Sequence, residues 1–202
     1  MNRRWLGGIA QGSLVLLVAA ACSDSTAPAE PLTDEEAALV AEYVADVHVD
    51  GPPVSFATAS SGEPSAAVTR SGSYEIVIEC EGGGTITISG EHTANVDREA
   101  QTYSREWSAS HVHSDCTFTR RAHTITLDGS VVLEGSASGT FGPDGRGIDA
   151  LLITRMGELT WTSSDRTRTC EIDLTTTYDP ETRTFTTTGT ICGREVSVTR
   201  SR

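Results

Sequence analysis

From Ser73 to the C-terminus, apolar side chains recur at every second position. Tyr74, Ile76, Ile78 and Cys80 share one phase, with Glu75 and Glu79 on the other. Ile86 and Ile88 alternate with Thr85, Thr87 and Ser89, and Ile125 and Leu127 alternate with Thr124 and Thr126. Cys170, Ile172 and Leu174 alternate with Glu171, Asp173 and Thr175. A period of two is the mark of half-buried strands, and β-branched threonine suits their solvent face. Turn-forming residues punctuate the runs at Glu81-Gly-Gly-Gly84, Asp128-Gly129, Gly142-Pro-Asp-Gly145 and Asp179-Pro-Glu-Thr182. Ile148, Leu151, Leu152, Met156 and Leu159 also fit helical spacing, but the strand-like sequence on both sides favours a strand. The hexapeptide Thr85-Ile-Thr-Ile-Ser-Gly90 returns as Thr124-Ile-Thr-Leu-Asp-Gly129, an echo we assign to shared hairpin chemistry. Short connections without crossover helices predict a mainly β protein, an antiparallel meander of roughly nine or ten strands. A sheet that long tends to curl into a barrel or fold into a two-sheet sandwich.

Upstream the period changes. Thr33-Asp-Glu-Glu36 has the form of a capping box, with acids in the first turn. Leu39, Val40, Tyr43, Val44 and Val47 then fall on one face of a short helix, which Gly51-Pro52-Pro53 ends. We expect that face to dock on the β domain. The predicted organisation is a signal peptide over 1–21, a disordered tether over 22–32, an amphipathic helix over 33–50, a linker over 51–72 and a disulfide-stapled β domain over 73–202. The first segment carries Arg3 and Arg4 before an apolar stretch whose densest run is Leu14 to Ala21. Gln11, Gly12 and Ser13 make it too short to span a bilayer, so it reads as an export signal.

The stretch Val18-Ala19-Ala20-Ala21-Cys22 resembles the lipobox of bacterial lipoproteins. That resemblance implies cleavage after Ala21, acyl chains on Cys22 and anchoring in the cell envelope. Ser23 stands where Asp would retain such a protein in the inner membrane, so the resemblance implies the outer membrane, with the body facing the periplasm or the cell surface. The Cys-Glu-Gly-Gly-Gly start at Cys80, Asp115-Cys-Thr-Phe118 and Gly189-Thr-Ile-Cys-Gly193 are similar to stretches of uncharacterised bacterial lipoproteins, a likeness that brings no activity with it.

Charge narrows the partners. The net charge is −13, and all 15 basic residues are arginine. Loss of Arg3 and Arg4 with the signal would give −13 − 2 = −15. Such a surface excludes nucleic acid and simple adsorption to anionic headgroups, leaving the acyl chains as the contact with the membrane. With Cys22 reserved for lipid, Cys80, Cys116, Cys170 and Cys192 remain. Four cysteines in an exported chain read as two disulfides with three possible connectivities. We expect nearest-neighbour pairs, Cys80–Cys116 and Cys170–Cys192. Placing Ile172 opposite Ile191 leaves Cys192 one residue out of phase, and a bulge at Gly189 or Gly193 would restore it.

Chemistry is sparse. His111-Val-His113 puts two imidazoles on one strand face, and Asp115 continues it, with His92 or His123 able to complete a metal set. Two exposed histidines in a polar loop explain the same letters. No Gly-x-Ser-x-Gly elbow or phosphate loop occurs. Trp107, Trp161 and Tyr103 are read as core fillers. We therefore expect no enzyme, no cofactor and no catalytic or metal residue, but a lipid-anchored envelope protein with a binding or structural β domain. Two alternatives stand beside it: a carrier of lipid or another apolar ligand in a β cavity, and a metal-dependent hydrolase centred on His111 and His113.

Overall fold

The computed structural model describes residues 32–46, 67–142, 145–164 and 166–201. The expected signal peptide, Cys22 and much of the expected tether and linker lie outside the described residues, as do positions 143–144 of the Gly142–Gly145 turn.

One helix, α1 (Asp34–Asp46), precedes nine strands: β1 (Ala67–Glu79), β2 (Thr85–Asp97), β3 (Thr102–Arg120), β4 (His123–Gly142), β5 (Gly145–Arg146), β6 (Ala150–Ser163), β7 (Arg166–Asp179), β8 (Thr184–Ile191) and β9 (Arg194–Ser201). Every pairing is antiparallel, and the path β1-β2-β3-β4-β6-β7-β8-β9 follows chain order, with β5 a short addition to β4. The expected meander is therefore present, and Ala150–Ser163 is strand rather than helix.

The expected closure into a barrel or splitting into two sheets is not. β1 and β9 are the two edges of one open sheet. α1 covers the inner face at one end instead, packing on β8 and β9 and stacking Tyr43 on Phe118 of β3 at 3.9 Å. A helix laid over the inner face buries the surface that edge-to-edge pairing would otherwise have to enclose.

Three local expectations are corrected. β1 starts at Ala67, inside the expected linker, and Ser71 and Gly72 pair with Thr93 and His92. Asp128-Gly129 is not a turn, and the repeated hexapeptide is not a hairpin signature, because Gly90 and Gly129 both lie inside long strands. Gly129 sits opposite a bulge between His113 and Cys116, with φ at 120°, a conformation glycine tolerates and other residues resist. The Asp128 carboxylate accepts the Asp115 amide across that bulge at 2.9 Å. Glycine and aspartate mark both tight turns and strand irregularities, so their letters alone did not separate the two.

Both expected disulfides form, Cys80–Cys116 and Cys170–Cys192. Ile172 does lie opposite Ile191, and Gly189 stays in register opposite Leu174. The phase of Cys192 is restored by the β8–β9 turn rather than a bulge, since Cys192 and Gly193 both take positive φ, 53° and 74°.

Apolar side chains cluster on the inner face. A larger apolar cluster joins α1 to Ile86, Phe118, Ile125, Leu127, Leu159 and Trp161, and a smaller one gathers Trp107, Leu133, Leu151, Ile153 and Phe185. Along β6, β7 and β8, buried Arg155, Thr176 and Thr187 separate the two.

Candidate functional site

The alternation that builds the sheet also sorts its charges. Outward positions of the strands hold Glu75, Glu79, Glu91, Asp97, Glu106, Asp128, Glu134, Glu158, Glu171, Asp173, Asp179 and Glu195, among many Thr and Ser. Inward positions hold Arg70, Arg105, Arg155, Arg166, Arg168, Arg194 and Arg200, with His92, His111 and His113. Among the described strand residues, no carboxylate lies on the inward phase and no arginine on the outward one. Cross-strand hydroxyl pairs such as Thr117–Thr126 at 2.8 Å and Thr160–Thr169 at 2.6 Å tie the outer face together.

At the covered end the inward cations meet the acids of α1. Arg194 pairs with Asp34, Arg166 with Glu36, Arg121 and Arg200 with Glu42, Arg200 also with Asp46, and His123 lies 3.9 Å from Glu35. The helix start is fixed as its sequence predicts. The Thr33 amide donates to Glu36 at 2.9 Å, and the Glu36 amide donates to the Thr33 hydroxyl at 3.2 Å. Burial pushes the Glu36 carboxyl up, but the Thr33 hydrogen bonds and the Arg166 guanidinium outweigh it and hold it below its ordinary value. The apolar face of α1 is consumed in this docking, with Leu39, Val40, Ala41 and Val44 buried.

His111 and His113 share the inner face of β3 as their spacing requires, but the reading of exposed loop histidines is wrong: they are 3% and 4% exposed. Burial, with Arg155 and His113 nearby, pushes His111 down to about 3, and burial pushes His113 down to about 4 against a weaker pull from Asp128. Both rings are neutral at ordinary pH. Asp115 does not join them, because the bulge turns it out to solvent. His92 lies opposite Trp107, farther along the sheet, and His123 lies at the rim beside Glu35. Among the described residues, no three His, Cys, Asp or Glu side chains are placed to hold a metal ion. Trp107 and Trp161 are buried in the core as expected, whereas the Tyr103 hydroxyl donates to the Gly147 carbonyl at 3.1 Å.

Two features escaped the sequence reading. The first is an open groove of about 820 Å³ that crosses β1, β2, β3, β4 and β6. Its lining includes Ser71, Glu91, Glu106, Glu134, Trp107 and Leu152. Glu91 and Glu134 flank Ser108 in one cross-strand row, and Glu106 lies in the next. No ion pair answers these three carboxylates among the described residues. Exposed Leu152, Val132 and Met156 lie on the same side of the sheet. The second is Arg155, fully buried between the apolar clusters, with one nitrogen donating to Thr176 at 2.7 Å and Thr176 in turn paired with Thr187 at 2.8 Å. Burial lowers its guanidinium to about 10, so it stays charged. A charged residue on the apolar phase Leu151, Ile153, Arg155 was the legible signal. The groove had none, because it joins five strands.

No protein-family model, curated protein or solved structure matches this chain.

Proposed function

We propose that this chain is a lipoprotein of the cell envelope, held to the outer membrane by acyl chains on Cys22, and that its β domain is a non-enzymatic binding module. The groove on β1–β4 and β6 is the binding surface, and a cationic peptide segment carrying some apolar side chains suits it. The observation that supports this reading is the groove's lining: three carboxylates without a basic neighbour on the outer face, beside exposed aliphatic side chains. In a partly enclosed groove a single sign of charge focuses the field and attracts ligands of the opposite sign. A carrier of an apolar ligand inside the sheet has less support, since the inward Leu, Ile, Phe and Trp side chains pack on one another.

The test is fluorescence anisotropy with a labelled peptide alternating Arg and Leu. Binding should weaken steeply with salt, and Glu91→Gln/Glu106→Gln/Glu134→Gln should reduce affinity by about tenfold or more. Equal binding by the triple variant, or by a matched Glu/Leu peptide, refutes the groove. Labelled palmitate should enter the wild-type chain and not Cys22→Ser; incorporation into both, or into neither, refutes the anchor.

A further inference from the structure

The inner face holds cations and no carboxylate among the described strand residues, and α1 answers them at one end only. Arg155 lies beyond that reach. It is 0% exposed, and its Nε and Nη2 have no hydrogen-bond partner. Its Nη1 is committed to the Thr176–Thr187 pair, which fixes the plane of the guanidinium. The open atoms are not scattered. Nε and Nη2 form one edge of the guanidinium, two parallel donors spaced to take both oxygens of a carboxylate. Its cross-strand neighbours are Leu133 and Leu174, which offer it no acceptor.

We propose that the Nε/Nη2 edge of Arg155 is a site for one carboxylate group, bound on the inner face of the sheet. A buried charge is ordinarily paired, and a half-used buried guanidinium is the costly arrangement that a bound anion relieves. The bound group supplies for Arg155 what the acids of α1 supply for Arg166, Arg194 and Arg200 at the rim. Arg105 shows the same two unpartnered nitrogens, but it is partly exposed and lies over the Trp107 ring at 5.0 Å. The aromatic face answers part of its charge, so the assignment rests on Arg155.

The site is tested on the intact chain with sodium acetate and sodium octanoate, against sodium chloride at equal ionic strength. The readouts are the Nε–H resonance of Arg155 and the thermal midpoint. A carboxylate should shift that resonance saturably and raise the midpoint beyond the chloride control. Acetate acting alone identifies a small acid as sufficient, and octanoate acting alone identifies the head of an amphiphile. Arg155→Lys keeps a charge but loses the fork, and it should weaken the midpoint response by about tenfold. Should that variant fail to fold, Thr176→Val, which frees the guanidinium plane, should weaken the same response. The proposal is overturned if neither acid moves the resonance, if chloride acts as well as acetate, or if a folded variant responds like wild type. None of these outcomes depends on the outer groove.

Discussion

His111 and His113 make the stability of this domain fall on mild acidification. Both rings are buried, with folded-state values of about 3 and about 4. In an unfolded chain a histidine titrates near 6.5. Between these values the unfolded chain takes up protons that the folded one refuses, so acid favours unfolding. Stability is therefore fully present above about pH 6.5 and declines as pH drops toward about 4. Each ring contributes about 1.4 kcal/mol per pH unit, or about 2.7 kcal/mol by pH ~4.5, and the two together about 5 kcal/mol at that pH. That rivals the whole stability of an ordinary domain, roughly 5–15 kcal/mol. The assay is urea unfolding of the oxidised protein at a series of pH values from about 8 to about 4.5. The slope of free energy against pH should correspond to nearly two protons at its steepest, and His113→Leu should reduce it to about one. A flat profile for the wild type, or an unchanged slope in a folded His113→Leu variant, refutes the reasoning.

The remaining predictions concern the frame. Removing the Cys80–Cys116 bridge by double alanine substitution opens a loop of sequence separation 36 and should cost about 4 kcal/mol, read as a lower guanidinium midpoint. Glu36→Ala removes both the reciprocal cap and the Arg166 pair and should cost about 2–3 kcal/mol, while Glu36→Gln keeps a cap and should cost about 1 kcal/mol by the same denaturant assay.

Much of the frame was legible because its signals are local. Period two named the strands, and Thr33 with Glu36 named the helix start, since each depends on residues a few positions apart. The disulfide partners followed from the expectation of export and from strand neighbours. Local signals failed where one residue type serves two geometries. Gly90 and Gly129 read as hairpin chemistry but lie inside long strands, and Asp115 reads as a partner of His113 until one bulge turns it to solvent.

By itself the sequence determined the antiparallel meander, the capped helix, the four cysteines available for two bridges and the alternation of carboxylates and hydroxyls against apolar residues. Each is set by short-range periodicity or by a small menu of covalent partners. Only the tertiary structure decided that the sheet stays open under α1, that His111 and His113 are buried and neutral, that Arg155 stands between two apolar clusters, and that Glu91, Glu106 and Glu134 line one groove. Those outcomes depend on residues from strands far apart in the chain meeting across the sheet and under the helix, which no local pattern of letters specifies.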